Sequence, residues 1–240
     1  MTLAHADTIA GLVKGLAVLE SFDTERQRLN ATQAAQRAGL TRAAARRHLL
    51  TLAHLGYLET DGSFFWLGAR ALRLAGAYLA SSRLPRVIQP ALNRLAAATQ
   101  DVYSAVVLDG DEVVIIARSA GLGAAGTRLL AYGMHLGARM PAHATSTGRV
   151  LLAALPDAER AAWLARHEAL PRLTPHTTTD TRAFKALLAE VARQDRGISS
   201  EEHELGVHAI AVPLRNAEGA TVAALNVIVP PARYSPALLQ

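Results

Sequence analysis

The stretch from Thr32 to Tyr57 constrains the fold of this chain most, because it predicts two helices joined by a glycine turn. Thr32 is placed to cap a first helix that stops at Gly39, and Thr41 is placed to cap a longer second helix. A short helix, a tight turn and a longer helix form a helix-turn-helix unit, whose second helix enters the major groove of DNA.

A helical wheel of the second helix separates a core face from a cationic face. The core arc of about 120° and the cationic arc of about 140° lie on opposite sides. The core arc holds Ala45, His48, Leu49, Leu52 and Leu55; the cationic arc holds Arg42, Ala43, Arg46 and Arg47. From Ala31 to Leu58 there are four arginines and no acid, whereas a merely solvated basic face usually mixes both signs. We therefore predict that Thr32, Thr41, Arg42, Ala43, Arg46 and Arg47 bind DNA.

The flanking segments predict the rest of a winged DNA-binding domain. Apolar residues at helical spacing predict a helix from Ile9 to Phe22 that covers the inner face of the helix-turn-helix; they are Ile9, Leu12, Val13, Leu16 and Leu19. Two short strands around Asp61-Gly62 predict a hairpin, or wing, whose tip near Gly62 and Ser63 reaches DNA phosphates. A helix over 69–82 with the apolar stripe Leu72, Ala75, Tyr78 and Leu79 ends before Pro85.

The remaining chain alternates hairpins with helices, which predicts an α+β domain with an antiparallel sheet. Strands are expected at 102–108, 113–118, 128–132, 209–214 and 222–229, and helices at 85–99, 145–154, 157–167 and 181–194. The segment 234–240 begins like a helix that has been truncated. We therefore divide the chain into a winged helix-turn-helix domain (1–68), a linker helix (69–84) and an α+β domain (85–240).

The amino-acid sequence excludes several kinds of site and gives no sign of a targeting segment. The chain has no cysteine, so disulfides and thiolate metal sites are excluded. It has no segment that predicts a signal peptide or a membrane span, and we expect a cytoplasmic protein. His203 and His208 imitate a zinc-protease motif, but their spacing of five residues would separate them by about 140° on a helix. We predict no metal and no cofactor.

One segment suits anion binding. Residues 140–149 place hydroxyl groups and His143 at the start of a helix, whose free N–H groups and dipole favour a carboxylate or phosphate. The alternative is a purely structural role, in which Thr145 caps the helix and no anion binds.

The whole pattern resembles the IclR family of bacterial transcriptional regulators. The opening helix 11–19, the recognition helix 40–52 and the effector-domain segments 141–152 and 201–206 carry the resemblance. The runs RAAARR, SxGRVLLA and IAVPLRN resemble the branch that controls aromatic-acid catabolism through the β-ketoadipate route.

The resemblance implies a winged helix-turn-helix, a GAF-like effector domain, a homodimer or dimer of dimers, and a small aromatic or related organic acid as effector. The residues that match the family's pocket are Leu129, Ser146, Thr147, Ser199, Ala209, Asn226 and Ile228. Two departures are His48, which we expect to pack in the core, and His208, which replaces an arginine common in that branch. We include His143 and His208 among the expected effector contacts.

These observations favour a ligand-responsive transcription factor that binds a double-stranded DNA operator. Two hypotheses of another class remain. One is a hydrolase of a small ester that uses His143, Thr147 and His208 but has no nucleophile with an identifiable base. The other is a sensor that acts through another protein and binds no DNA, against which the arginine face argues.

Overall fold

The computed structural model describes residues 7–23, 26–119 and 134–229. Leu129, the predicted strand 128–132 and the predicted C-terminal helix lie outside these residues. The chain forms two compact units, Met1–Ser81 and Ser82–Gln240, called here the N-terminal and C-terminal units. Within the described ranges, no helix is long and apolar enough to cross a membrane.

The N-terminal unit contains a helix-turn-helix followed by a hairpin. Its elements are α1 (Ala10–Leu19), α2 (Ala31–Arg37), α3 (Arg42–His54), β1 (Leu58–Thr60), β2 (Phe65–Leu67), a 3-10 turn (Ala69–Ala71) and α4 (Leu72–Ser81). β1 and β2 pair antiparallel. Val18 of α1, Leu29, Leu49 of α3 and Phe65 of β2 are fully or almost fully buried and belong to one apolar core.

The start of α2 corrects the sequence-based prediction, because its cap is Asn30 and not Thr32. The Asn30 side chain accepts hydrogen bonds from the amides of Thr32 and Gln33, each 3.0 Å long. The Gln33 side chain in turn accepts from the Asn30 amide at 2.9 Å. This reciprocal capping box satisfies donors that the first turn of a helix leaves free, so Thr32 lies inside the helix. The predicted cap of α3 is confirmed, since the Thr41 hydroxyl accepts from the Ala44 amide.

The orientation of α1 also differs from the prediction. Most of the predicted core stripe is exposed, with exposed fractions of 72% at Ile9, 60% at Leu12, 57% at Val13 and 46% at Leu16. Only its C-terminal end packs as predicted, since Leu19 is partly buried against the core and Phe22 is buried in it. Val18 is buried instead, and Gly15 lies beside His48. The helix is apolar on two adjacent faces about 130° apart at 100° per residue. Spacing alone therefore could not tell which face packs inward.

The other apolar residues of these helices are buried to different degrees. His48 is half-buried where α3 meets α1. Leu55, expected in the core, is 45% exposed because α3 ends before it and Leu55 is the C-cap. α4 has no buried residue, and its Leu72, Tyr78 and Leu79 are exposed.

The C-terminal unit is an antiparallel sheet with helices on both faces, which confirms the α+β class. Its elements are α5 (Arg83–Thr99), β3 (Tyr103–Asp109), β4 (Glu112–Arg118), β5 (Arg139–Pro141), a 3-10 turn (Ala142–Ala144), α6 (Ser146–Ala153), α7 (Asp157–Ala165), α8 (Thr181–Gln194), β6 (Gly197–Ser200), β7 (His208–Arg215) and β8 (Thr221–Val229). The six described strands have the order β5-β4-β3-β8-β7-β6. Every neighbouring pair is antiparallel.

Alternation along the central strands divides the core of this unit into two layers. Val106 and Ile115 belong to the layer under α6 and α8, together with Phe184. Ala105 and Ile116, their neighbours in sequence, belong to the layer under Leu92 of α5, because successive strand residues point to opposite faces.

Two glycines allow α6 to approach the sheet and the 3-10 turn closely. A Cβ atom on Gly148 would lie 2.0 Å from the Ala142 carbonyl oxygen, and one on Gly197 would lie 2.5 Å from that of Ser146. All eight residues of α6 are buried. The N-terminus of α6 is thereby fixed beside β6, where the polar cavity described next is formed.

Candidate functional site

The cationic face of α3 is exposed as the wheel predicts. Arg42, Arg46 and Arg47 point to solvent, whereas Ala45 and Leu49 on the opposite side are buried. Thr32, Thr41 and Ala43 are also exposed. Within the part of the chain that the structure describes, no acidic side chain pairs with these three arginines, whereas Arg37 of α2 pairs with Asp23. The three guanidinium groups, called here the arginine face, are available for phosphates or base edges.

The wing is held in shape by Asp61 at its turn. The Asp61 carboxylate accepts hydrogen bonds from the amides of Phe64 (2.8 Å) and Ser63 (3.0 Å), and these bonds, with Arg28 nearby, lower the pKa of Asp61. Arg28 forms an ion pair with Asp61, and its guanidinium carbon lies 4.5 Å from the centre of the Trp66 ring. Gly62 has a φ of +96°, which suits a tight turn. The tip is thus a small, ordered loop.

A polar-lined cavity, called here the central cavity, lies between the sheet and the N-terminus of α6. Six of the predicted effector residues line it: Ser146, Thr147, Ser199, Ala209, Asn226 and Ile228. Ser104 and Thr145 add hydroxyl groups, and Val106, Ile115, Met134 and Met140 add apolar walls. The fold therefore brings together residues from segments that are far apart in sequence. Its free volume is about 30 Å³.

The predicted histidine contacts are placed differently. His143 is buried and its Nε2 lies 2.9 Å from the Pro171 carbonyl oxygen, to which it donates. Burial lowers the pKa of His143, and the nearby Arg149 acts in the same direction. His208 is buried at the start of β7, with Nδ1 2.8 Å from the Ser200 hydroxyl. Neither histidine is among the residues that line the central cavity.

A third histidine, His203, does line the central cavity, although the sequence did not single it out as an effector contact. Its Nδ1 atom is buried and has no hydrogen-bond partner among the described residues, and neither has Asn226 Oδ1 on the cavity wall. Burial lowers the pKa of His203. The signal in the sequence was the segment 201–206, which resembles an effector-domain signature and contains His203.

A buried ion pair holds the His203 loop in place. Arg149 of α6 pairs with Glu202, and it also donates to the carbonyl oxygens of His143 and Ile198. The hydroxyl of Thr178 donates to the Glu202 carboxylate at 3.2 Å. A buried charge is tolerated only when it is paired and hydrogen-bonded. Glu202 is therefore anchored to the helix that forms one end of the central cavity.

A second opening, called here the side groove, lies at the C-terminal ends of α6 and α8. It is larger, about 640 Å³, and its lining includes the aliphatic Leu155, Val191 and Val222 and the ion pair of Asp195 with Arg215. It contains Thr221 but none of the predicted effector residues. The side groove is the larger opening, whereas the central cavity has the more polar lining. The central cavity is the better candidate for a ligand site, because such a site needs convergent polar groups.

The arrangement gives no support to hydrolysis. Thr147 lines the central cavity, whereas His143 bonds to Pro171 and His208 to Ser200. Within residues 7–23, 26–119 and 134–229, no three histidine or acidic side chains cluster in a way that could hold a metal ion.

Comparison with known protein families decides between the hypotheses. Residues 11–62 match the IclR helix-turn-helix domain, and residues 76–239 match the C-terminal domain of bacterial IclR transcriptional regulators. The chain belongs to the IclR family. The prediction of a DNA-binding transcriptional regulator, not an enzyme, is confirmed.

Similar regulators support the branch predicted from the short motifs. The IclR-family chain is 51% identical to the Pca operon regulatory protein of Acinetobacter baylyi, over 96% of this chain and 82% of that protein. It is 52% identical to the p-hydroxybenzoate hydroxylase transcriptional activator of the same organism, over 97% of this chain and 86% of that protein. The aromatic-catabolism branch is thereby confirmed.

A solved structure shows the same fold. An IclR homolog from Microbacterium hydrocarbonoxydans, crystallised with 4-hydroxybenzoate, is 29% identical and aligns with a TM-score of 0.72. The alignment covers 96% of this chain and 93% of that one.

Proposed function

We propose that this IclR-family regulator controls genes of aromatic-acid catabolism in the cytoplasm, and that it responds to a small aromatic acid in the central cavity. The observation that carries the proposal is the convergence of hydroxyl groups, apolar walls and the N-terminus of α6 in one cavity. The names of the similar proteins point the same way, since they include regulators of the Pca operon and of p-hydroxybenzoate hydroxylase.

The N-terminus of α6 is the site that we assign to the effector carboxylate. Ser146 and Thr147 occupy the first two helical positions, where backbone N–H groups have no partner within the helix. The helix dipole adds positive potential there, and both side chains supply hydroxyl donors. Val106, Ile115 and Ile228 provide an apolar surface for an aromatic ring. Ser199 and Ala209 also line the central cavity.

Because the free volume of the central cavity is small, binding of an effector would move the elements that line it. A space of about 30 Å³ suits one or two water molecules, so a benzoate-sized acid must displace the lining to enter. The displaced elements would include α6 and the His203 loop, which Arg149 and Glu202 tie together. A ligand that binds one arrangement better shifts the population toward it.

DNA recognition is assigned to the arginine face and its neighbours. Arg42, Arg46 and Arg47 contact the operator, Thr41 and Ala43 line the same side of α3, and Thr32 flanks it on α2. Two copies of the helix-turn-helix bind two half-sites about one DNA turn apart.

The proposed domain division is a winged domain (1–68), a linker helix (69–84) and an effector domain (85–240).

Dimerisation is supported by the exposed apolar side chains of the N-terminal unit. Ile9, the N-cap of α1, forms a continuous apolar stripe at the surface with Leu12, Val13 and Leu16 of the helix. Exposed apolar patches of this kind mark association sites. We propose that a second copy of the chain covers this stripe, in a homodimer or a dimer of dimers.

A thermal-shift titration of the full chain tests the effector assignment. We expect benzoate-type acids, with 4-hydroxybenzoate as the first probe, to raise the melting temperature, because a ligand that binds the folded state stabilises it. Thr147→Val, which removes a hydroxyl from the central cavity, should weaken the apparent affinity about 10-fold or more. Thr221→Val in the side groove is the matched control and should bind normally. Loss of binding in Thr221→Val alone would move the effector to the side groove.

A further inference from the structure

Two of the polar atoms in the central cavity are unsatisfied. Among the described residues, three buried side-chain nitrogen or oxygen atoms have no hydrogen-bond partner: Trp163 Nε1, His203 Nδ1 and Asn226 Oδ1. His203 and Asn226 both line the central cavity, whereas Trp163 of α7 does not. A buried polar group without a partner costs about 1–3 kcal/mol. Such groups are therefore rare, and two in one cavity call for an explanation.

Both residues lie in backbone segments that are held by their neighbours. Asn226 lies in β8, in register with Ser104 of β3 on one side and Ala211 of β7 on the other. His203 follows Glu202, which is fixed by Arg149, and the loop is closed by the Gly206 amide donating to the Glu201 carboxylate at 2.8 Å. The backbone that carries the two unsatisfied side chains is thus fixed by well-bonded neighbours.

The chemistry of the two atoms defines what complements them. The Asn226 carbonyl oxygen accepts hydrogen bonds only, so it requires a donor. Burial lowers the pKa of His203 and so favours the neutral imidazole. The Nδ1 atom of a neutral imidazole accepts or donates according to the tautomer. A carboxylate would face the carbonyl oxygen unfavourably, whereas a hydroxyl both donates and accepts. The pair complements a neutral hydroxyl.

We propose that His203 and Asn226 form a hydroxyl subsite, which binds a ring hydroxyl of an aromatic acid whose carboxylate lies at the N-terminus of α6. The subsite rests on the proposed effector function and adds a specificity to it. The regulator distinguishes hydroxybenzoates from acids of the same shape that lack the hydroxyl. A site built to bond a substrate hydroxyl rejects the analogue without it, because its own polar groups stay unpaired.

Isothermal titration of the full chain with a matched ligand series tests the subsite. The ligands are benzoate, 3-hydroxybenzoate, 4-hydroxybenzoate and their methyl counterparts 3- and 4-methylbenzoate, in which a methyl group replaces the hydroxyl at similar size. We expect at least one hydroxybenzoate to bind about 10-fold or more tighter than its methyl counterpart. Asn226→Leu and His203→Leu should abolish this preference, and His203→Gln, which restores a donor and an acceptor, should keep part of it.

Trp163→Phe is the matched control, since it removes the third unsatisfied atom, outside the central cavity; its preference should equal that of the wild type. Equal affinities of the wild type for the hydroxy and methyl acids would overturn the subsite while leaving the proposed function intact, and water alone would then satisfy the two atoms. Failure of every acid to bind would overturn the proposed function together with the subsite. The comparison of hydroxy and methyl acids on the wild type tests the subsite even if a variant fails to fold.

Discussion

At the scale of single residues, the Arg149–Glu202 pair links the stability of the C-terminal unit to its cavity. Both side chains are largely buried, and Arg149 also bonds to two backbone carbonyls. Removing one partner of a buried pair leaves an uncompensated charge, which costs about 3–5 kcal/mol. We therefore expect Arg149→Met to lower the free energy of unfolding by about that amount, measured by urea denaturation.

The control for this prediction is an ion pair on the surface. Arg193 pairs with Glu190 on the exposed face of α8, and exposed pairs contribute about 0–1 kcal/mol. Arg193→Met should change the unfolding free energy little. An equal loss in both variants would contradict the structural role assigned to the buried pair.

The residues of the candidate site were predictable to different degrees. Ser146 and Thr147 lie in the segment 140–149, which its own residues mark as a helix N-terminus suited to an anion. Asn226 was found only through the resemblance to a family, since nothing in local spacing brings β8 beside α6. His203 was missed because a buried polar atom without a partner is visible only after folding. Asn30 was missed although the sequence contains its signal, a capping residue three positions before Gln33.

At the scale of elements, the position of α6 depends on Gly148. A Cβ atom there would lie 2.0 Å from the Ala142 carbonyl oxygen, which is much closer than van der Waals contact. This oxygen belongs to the backbone, so it cannot move away as the end of a flexible side chain could. We expect Gly148→Ala to destabilise the protein by about 3 kcal/mol and to weaken effector binding, as measured by thermal melts with and without 4-hydroxybenzoate. Gly76→Ala in α4, where the new methyl group meets nothing within 4 Å, should be neutral or stabilising by about 0.5–1 kcal/mol. A similar melting temperature for both variants would contradict the close approach.

Elements with strong periodicity were predicted well, and those defined by tertiary contacts were not. α3 and α8 have clear apolar faces, and the helices lie where the sequence predicts them. β5 has three residues and β6 has the sequence GISS. Neither shows a hydrophobic alternation, and among the described strands each pairs with a single neighbour. The buried face of α1 was undetermined for a related reason, since apolar residues occupy two of its faces.

At the scale of the whole molecule, the exposed stripe on α1 predicts self-association. Replacing Leu12 and Leu16 together with glutamate places charges in the proposed interface, so we expect a shift toward monomer in analytical ultracentrifugation. Their exposed fractions of 60% and 46% mean that the substitution costs the folded monomer little. Leu173→Glu, at a side chain 41% exposed in the C-terminal unit, is the control. A dimer that survives the double substitution would exclude this stripe as the interface.

We propose that the arginine face binds DNA and that an effector in the central cavity controls this binding. The direct measurement is the affinity for an operator selected from random DNA, followed by fluorescence anisotropy against salt, with and without 4-hydroxybenzoate. We predict that Arg46→Ala with Arg47→Ala weakens binding and flattens the salt dependence, by about 0.9 in logarithmic slope for each phosphate that the variant no longer neutralises. The effector should change the affinity of the wild type but not that of Thr147→Val at the same concentration. Unchanged affinity and slope in the arginine variant, with no effect of any aromatic acid on the wild type, would contradict the DNA-binding role of the arginine face and the effector role of the central cavity.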